Sequence, residues 1–210
     1  MIVFVVGTGT EVGKTTFTTS WLRALRASGI DAVGWKPVET GADDDQRALA
    51  AASGRSLPAR HAYPTPVSPH RSARLAGARI DLQALAAEAR TLASGCEVLV
   101  VETAGGLFSP LDDEGGTNAE LVRAIDGSKT ILVAANRLGV LHDVEACVRG
   151  AGAGGWALDV VVANTMLELL DDESVATNVE DLRARTRAPV LAFDGELDEA
   201  TARALTALVR

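Results

Sequence analysis

The stretch MIVFVVGTGTEVGKTT, residues 1–16, places a glycine-rich loop between an apolar run and a helical segment. Met1 to Val6 suits a buried strand, and Phe17 to Ala27 has the spacing of an amphipathic helix. The loop ends in GKT, as the phosphate-binding pattern GxxxxGK followed by Ser or Thr requires, but its first glycine, Gly7, stands one residue early. We therefore predict a phosphate-binding P-loop that is one residue longer than usual.

The loop offers three kinds of group that bind phosphate. Backbone N–H groups in a glycine-bearing turn and at a helix N-terminus form a nest for phosphate oxygens. Lys14 is expected to reach the β- and γ-phosphates, and the Thr15 hydroxyl is expected to bind Mg²⁺. A glycine-rich turn can also merely close a βα unit, but GKTT at this place favours phosphate binding.

The composition limits the class of protein. The chain has 210 residues, 47% of them hydrophobic, which favours one α/β domain over residues 1–210. The net charge of -8 argues against a nucleic-acid partner. Met1 to Val6 is too short for a signal peptide and no apolar run reaches membrane-spanning length, so we expect a cytoplasmic protein without a membrane partner. Cys96 and Cys147 form no CxxC pair or cluster with histidines, which predicts reduced cysteines.

Apolar runs alternate with helical segments along the whole chain. Continuous apolar runs such as VLVV and VVVA are typical of a parallel sheet covered on both faces. We predict a doubly wound, mostly parallel α/β fold of the P-loop NTPase type, with ligands at the carboxyl ends of the strands. The predicted strands are Ile2 to Val6, Ala32 to Lys36, Glu97 to Glu102, Thr130 to Ala134, Leu158 to Ala163 and Pro189 to Ala192. The predicted helices are Lys14 to Ala27, Asp45 to Ala52, Leu82 to Ser94, Asn118 to Ala124, His142 to Gly150, Val175 to Arg185 and Glu199 to Val209. The proline-rich piece from Leu57 to Pro69 is predicted to be a functional loop.

The segment GWKPVETGADDD follows the second predicted strand and carries charged groups to its end. Lys36 lies there, close to the P-loop phosphates if the first two strands end side by side. It could simply cap the strand, but a cation facing a transferring phosphoryl group is what such chemistry requires. Among Asp43, Asp44 and Asp45, most could begin a helix, and one could reach the metal.

Three later strands also end in polar residues. Glu102 follows VLVV as a Walker B carboxylate would, and Mg²⁺ prefers carboxylate and water oxygens. Gly105 and Gly106 then allow the backbone to approach a ligand closely. His142 follows the fourth strand, and Asn164 ends the fifth, where it could bond a base edge or hold a turn.

Taken together, six segments resemble the ATP-dependent dethiobiotin synthetase family from the N-terminus to about Thr165. They are GTGTEVGKT, KPVETG, SPHRSARLAG with a following ARID, VETAGG, RLGVLHDV and VVVANT. The resemblance implies an enzyme that joins CO₂ to 7,8-diaminononanoate and closes the cyclic urea of dethiobiotin while ATP becomes ADP and phosphate. It also implies a homodimer.

The same resemblance assigns roles to individual residues. Lys36 and Lys14 would be the catalytic lysines, and Thr15, Asp45 and Glu102 the Mg²⁺ ligands. Residues Glu11, Val12, Gly13, Lys14, Thr15 and Thr16 would cradle the ATP phosphates, and Asn164 would meet the adenine. The residues that would contact the diamine substrate are Thr10, Thr40, Gly105 and His142. His142 would come from the partner subunit and would bind the carboxylate of the substrate.

Two other functions stay open at this point. A switch ATPase of the partition type shares the P-loop, but such proteins commonly carry a lysine near the start of the loop, and GTGTEV has none. A related synthetase with another substrate is the second, although those enzymes usually carry an added glutaminase domain, for which this chain has no room.

Overall fold

The computed structural model describes residues 1–41, 44–57, 61–166 and 172–210. In chain order the strands are β1 (Ile2–Gly7), β2 (Ala32–Trp35), β3 (Val38–Thr40), β4 (His61–Tyr63), β5 (Val98–Gly106), β6 (Lys129–Ala135), β7 (Val160–Asn164) and β8 (Val190–Phe193). Six of them form one parallel sheet in the order β2-β5-β1-β6-β7-β8. The short strands β3 and β4 pair in parallel as a separate sheet.

Helices cover both faces of the large sheet. They are α1 (Lys14–Ala27), α2 (Asp44–Ser53), α3 (Pro69–Leu75), α4 (Leu82–Ala93), α5 (Asn118–Arg123), α6 (Val140–Ala153), α7 (Val175–Arg185) and α8 (Glu199–Ala207). Helices α1, α2 and α8 contribute to one apolar cluster, and α3 to α7 contribute to the other. The predicted doubly wound, mostly parallel fold is therefore confirmed.

Strand β1 shows how the sequence builds these two layers. Successive side chains of a strand point to opposite faces. Val3 and Val5 pack in the cluster that holds Trp21 of α1, whereas Phe4 and Val6 pack in the opposite cluster. All six residues of the strand are buried, which explains why it reads as a continuous apolar run.

The six predicted strands and seven predicted helices all form, but the segment from Leu57 to Pro69 differs from its prediction as a loop. His61–Tyr63 forms β4, whose backbone pairs with β3, and Pro69 begins α3. Residues 58–60 lie outside the described part of the chain. Three-residue strands carry too little periodicity to be seen in a sequence, and a proline is tolerated at the first position of a helix.

Three boundaries near the expected site also move. Strand β5 continues to Gly106, which pairs with Gly7 of β1, so Glu102 lies inside the strand and does not end it. Strand β2 ends at Trp35, so Lys36 follows the strand instead of closing it. Helix α6 begins at Val140 and not at His142, because Gly139 adopts φ 96° and caps the helix there. His142 consequently lies in the first turn of α6.

The strand order places the P-loop in the middle of the sheet. Strand β1 lies between β5 and β6, so the loop that follows it lies beside the carboxyl ends of both neighbours. In open parallel sheets this kind of crevice is where ligands bind. Within the described residues, no helix is both long and apolar enough to cross a bilayer.

Candidate active site

The P-loop joins β1 to α1 through residues with left-handed backbone. Gly13 has φ 81° and lies directly before the first residue of α1. Glu11 has φ 58° and is the one non-glycine residue with positive φ in the described ranges. Such a conformation in a side-chain-bearing residue costs free energy and is concentrated at ligand sites. Together with the free N–H groups at the start of α1, this backbone forms an anion nest.

Glycine at the end of β5 allows the P-loop and β5 to lie close together. A Cβ on Gly106 would lie 3.0 Å from the carbonyl oxygen of Thr8 and 3.2 Å from the backbone nitrogen of Gly9. Gly105 has φ 71°, and a Cβ there would lie 3.7 Å from the Thr10 hydroxyl. Gly106 is therefore required by its packing against the loop, and Gly105 by its positive φ and by Ser109, whose Oγ a Cβ would approach to 2.5 Å.

Lys14 is the buried cation of the loop. Its side chain is 7% exposed, and its ammonium group donates a hydrogen bond to the carbonyl of Gly9 at 3.0 Å. The pKa of Lys14 is lowered to about 8, mainly by burial. The nearby charge of Lys36 also lowers this pKa, whereas Glu102 and Asp45 raise it. An anion bound in the nest would be a negatively charged partner for Lys14 and would favour the protonated form of its amine.

Lys36, Asp45 and Glu102 form an ion cluster beside the loop. The Lys36 ammonium contacts Glu102 Oε1 at 2.8 Å and also contacts Asp45 Oδ2. Burial opposes ionisation of both Lys36 and Asp45, but their mutual attraction outweighs it. As a result the pKa of Lys36 is raised and that of Asp45 is lowered. Lys36 and Asp45 are therefore both charged at neutral pH.

The oxygens of this cluster suit a hard cation. Thr15 Oγ1 lies 2.9 Å from Asp45 Oδ1 and 2.8 Å from Glu102 Oε1, yet its single proton can be donated to only one of them at a time. Glu102 is fully buried, and its Oε2 has no hydrogen-bond partner among the described residues. Mg²⁺ is commonly held by one or two carboxylates, a hydroxyl and phosphate oxygens. Thr15, Asp45 and Glu102 fit that pattern, although no set of three or more His, Cys, Asp or Glu residues converges in the described ranges.

Sequence reasoning missed Glu39. Its Oε1 accepts the backbone N–H of Asp45 at 2.8 Å, in the first turn of α2. Burial raises the pKa of its carboxyl group. Glu39 lies within KPVETG, between Lys36 and Thr40, which were predicted as site residues. A single acid at that position has no sequence pattern that would mark it as functional. The inward position of Glu39 is shown by its burial, with 3% of the residue exposed.

A cavity of about 340 Å³ brings most of the predicted site residues together. Its lining includes Thr10, Glu11, Gly13, Lys14, Thr15, Thr16, Lys36, Thr40, Asp45 and Gly105, and also Glu39, Ala104 and Met166. Glu102 lies buried beneath it, in contact with Lys36 and Thr15. Of the three candidate acids, Asp45 reaches the cluster, the exposed Asp44 pairs with Arg47, and Asp43 lies outside the described residues.

Asn164 lies behind the P-loop and holds its backbone. The Nδ2 group donates to the carbonyl of Val12 at 2.9 Å, and the residue is 2% exposed. Of the two readings that the residue type left open, support of a turn is the one seen here. A contact with adenine stays a prediction.

His142 is the predicted site residue that is not near this cavity in its own chain. It lies on α6 beside a separate hollow of about 490 Å³ lined by Leu141, Glu145, Arg149 and Arg185. A role in the site would require a second copy of the chain. That role stays a prediction.

The fold and the loop define a P-loop nucleotide-binding protein. Over the whole chain the structure is similar to the hydrogenase maturation factor HypB from Archaeoglobus fulgidus, with TM-score 0.60, 18% identity and 90% of that chain covered. It is also similar to the signal recognition particle receptor FtsY from Elizabethkingia anophelis in complex with GDP, with TM-score 0.60 and 15% identity over 90% of this chain and 55% of that one. Identities this low establish the fold alone.

Sequence comparison narrows the class to a family. Residues 2–200 match a family model described as an AAA domain. ATP-dependent dethiobiotin synthetase BioD from Anaeromyxobacter dehalogenans (strain 2CP-1 / ATCC BAA-258) is 35% identical over 206 residues, covering 93% of this chain and 91% of the relative. The protein of the same name from Aromatoleum aromaticum is 36% identical over 202 residues, covering 90% and 87%. The chain belongs to the ATP-dependent dethiobiotin synthetase family.

Proposed function

We propose that this protein uses ATP and Mg²⁺ to convert 7,8-diaminononanoate and CO₂ into dethiobiotin, ADP and phosphate. Membership of the family supplies the reaction. The observation that carries the proposal is the single cavity in which the P-loop faces Lys36 and Asp45, with Glu102 beneath. We infer that the triphosphate and the diamine meet in this cavity.

The reaction has three steps, and the negative charges that meet in the second step require the positive groups that the cavity provides. One amine attacks CO₂ and releases a proton, which gives a carbamate. A carbamate oxygen then attacks the γ-phosphorus of ATP, ADP leaves, and a mixed carbamic–phosphoric anhydride remains. The second amine attacks its carbonyl carbon, closes the ring, and expels phosphate and a proton. The second step brings two anions together, so it depends on positive charge and fixed orientation.

The lysines supply that charge. Lys14 is positioned by the loop to meet the β- and γ-phosphates, and Lys36 to meet the carbamate and the γ-phosphate. Their burial strengthens these interactions, because water screens them poorly in the cavity. Backbone N–H groups of residues Glu11 to Thr16 orient the phosphates. Positioning of charges is thus the main contribution of the protein.

We assign the Mg²⁺ ligands to Thr15, Asp45 and Glu102, whose oxygens converge. When bound, Mg²⁺ would neutralise phosphate charge and polarise the γ-phosphoryl group. The Lys36 ammonium contacts both carboxylates and offsets their mutual repulsion.

The other contacts rest on position in the cavity and on the family. Thr10, Thr40 and Gly105 line the cavity and would contact the diamine. Asn164 would meet the adenine through its amide oxygen. We also propose a homodimer in which the partner's copy of His142 completes the substrate site, since His142 is remote from its own cavity. Light scattering of the purified protein would test the dimer.

Two broader assignments belong with this function. We propose that residues 1–210 form one domain. Both apolar clusters include residues of β1 and of β8, and one of them also includes Leu205 of α8. We place the protein in the cytoplasm, where ATP is available and where the free Cys96 and Cys147 would stay reduced.

Phosphate release separates this function from the partition-type switch. A synthetase releases phosphate rapidly only when ATP, bicarbonate and the diamine are all present. A switch ATPase hydrolyses ATP slowly whether or not the diamine is added. Diamine-independent hydrolysis as the sole activity would therefore contradict the proposal.

A further inference from the structure

Strand β5 contains more residues than its neighbour β1 where the two strands end. From Glu102 to Gly106 the pairing advances four residues along β5 but only two along β1. Such an insertion is a β-bulge, which bends a strand and is common beside active sites. Two of the residues inside it, Ala104 and Gly105, line the cavity. The groups that hold this bulge therefore also shape the wall of the cavity.

The side chain of Asn118 binds the bulge at two points. Asn118 is the first residue of α5 and is 1% exposed. Its Nδ2 group donates to the carbonyl oxygens of Ala104 at 2.8 Å and of Gly106 at 2.7 Å. A primary amide nitrogen has two N–H donors, so both are used on the bulge. The opposite orientation of the amide would turn its oxygen toward two carbonyl oxygens that repel it.

Ser109 holds the peptide group between those two carbonyls. Its Oγ accepts the N–H of Gly106 at 2.9 Å. The three successive peptide groups that carry the carbonyls of Ala104, Gly105 and Gly106 are therefore each bonded to a side chain. Gly105 joins the first two of them and has φ 71°, a conformation that glycine adopts at low cost. Asn118 and Ser109 together thus fix the backbone of Gly105.

The start of α5 gives Asn118 a rigid base. The helix begins with a capping box, in which the N–H of Thr117 donates to Glu120 Oε2 at 3.0 Å. The N–H of Ala119 donates to the carbonyl of Leu107 at 2.9 Å, which bonds the helix to the residue that follows β5. A short, buried side chain on such a base is held in one place.

Resting on the proposed function, we propose that Asn118 is a positioning residue for the diamine and acts through Gly105. Gly105 lines the cavity as a proposed diamine contact, whereas Asn118 is buried and is not part of the lining. Without Asn118, the carbonyls of Ala104 and Gly106 lose their buried donors, and the bulge relaxes toward other partners. Because catalysis is sensitive to misplacement of about 1 Å, a small shift of Gly105 affects the diamine.

The test is Asn118→Leu, which keeps a branched side chain of similar size but removes both N–H donors. KM is measured for the diamine and for ATP. We expect the KM for the diamine to rise about tenfold and the KM for ATP to stay within about twofold, since the P-loop backbone keeps its own bonds. Amide hydrogen exchange in the peptide that contains residues 103–107 should also be faster than in the unmodified protein.

Ser53→Ala is the matched control. Ser53 is 3% exposed and its hydroxyl donates to the carbonyl of Leu49 at 2.8 Å, so this variant also removes a buried donor. Ser53 is the last residue of α2, about 12 Å along the helix from Asp45. Both KM values and the exchange of residues 103–107 should equal those of the unmodified protein. Asn118→Ala gives a second measurement if Asn118→Leu folds poorly, and it should show the same selective rise in the KM for the diamine.

The outcomes separate the role of Asn118 from the proposed function. Normal dethiobiotin formation with an unchanged KM for the diamine in Asn118→Leu would overturn the role of Asn118 alone. An equal rise in both KM values would also overturn it, because it would show a general disturbance of the site. Unchanged exchange of residues 103–107 would show that the bulge does not need Asn118, with the same consequence. Absence of dethiobiotin with the unmodified protein would overturn the proposed function itself.

Discussion

Lys14 and Lys36 are both buried in one cavity, but their surroundings shift their pKa values in opposite directions. Burial dominates at Lys14 and lowers its pKa to about 8. At Lys36 the contacts with Glu102 and Asp45 outweigh burial, and its pKa rises. The nucleotide-free protein therefore holds one permanently charged lysine and one that titrates near physiological pH.

Affinity for ATP should fall as pH rises through about 8. Lys14 is charged and attracts phosphate below that pH, but becomes neutral above it in the free protein. Bound phosphate favours the charged form, so binding above about pH 8 should take up a proton. Calorimetry of ATP binding from pH 7.5 to 9.5, in buffers of different ionisation enthalpy, measures both effects. Constant affinity without proton uptake would contradict this account of Lys14.

Lys36→Ala should abolish turnover and lower stability. It leaves the fully buried Glu102 and the partly exposed Asp45 without the ammonium group that contacts both of them. Removal of one partner from a buried pair costs roughly 3 kcal/mol. Thermal unfolding and dethiobiotin formation measure the two effects, and added Mg²⁺ should restore part of the lost thermal stability.

Lys129→Ala is the matched control for that experiment. Lys129 pairs with Asp159 at 3.0 Å at the amino end of β6, and its side chain is 39% exposed. An exposed pair of this kind contributes about 0–1 kcal/mol. Turnover in Lys36→Ala close to that of Lys129→Ala would remove Lys36 from the mechanism.

At the scale of elements, the junction of β1 with α1 depends on Gly13. Its φ of 81° disfavours any side chain, and a Cβ there would lie 1.9 Å from Asn164 Nδ2. That same amide nitrogen holds the carbonyl of Val12. The loop, the start of α1 and the end of β7 therefore form one unit.

Gly13→Ala should weaken ATP binding by about tenfold or more, because it combines unfavourable φ with the loss of the Asn164 contact. Gly9→Ala is the comparison within the same loop. Its Cβ would meet only Val12 Cγ1, at 4.0 Å, and Gly9 does not have positive φ. Titration of both variants with ATP tests the difference. Equal affinities in the two variants would mean that the geometry at Gly13 does not matter for nucleotide binding.

The sequence predicted the long elements well and the short ones poorly. Helices Lys14–Ala27 and Val175–Arg185 have the predicted boundaries, because their apolar spacing persists over several turns. Strands β3 and β4 and helix α3 were missed since each is short and prolines surround them. The burial of Glu39, which lies on β3, was not predicted either.

At the scale of the whole molecule, the order of strands assembles the site from distant parts of the chain. Strand β5 lies between β2 and β1, so Lys36 after β2, Glu102 within β5 and Thr15 after β1 come close together. Thr15 and Glu102 are 87 positions apart in sequence, and their oxygens lie 2.8 Å apart. Motifs at strand ends indicated which residues to expect. The ion cluster itself could not be read from them, because it depends on how three strand ends align.

Two features of the site could not be predicted from local sequence patterns. The bond from Asn164 to Val12 joins residues separated by 152 positions, and no local pattern encodes it. His142 lies beside a different hollow from the cavity that holds Lys36. Its predicted contact with substrate therefore depends on the assembly of two chains.

We propose that a diamine is carboxylated and its ring closed in this cavity. The reaction is measured by incubating purified protein with 7,8-diaminononanoate, carbon-13 bicarbonate, ATP and Mg²⁺ and detecting the product by mass. We expect dethiobiotin that carries the carbon-13 label, with ADP and phosphate formed in equal amounts, and no product when diamine or ATP is left out. Folded protein that binds ATP but yields no labelled dethiobiotin would contradict it.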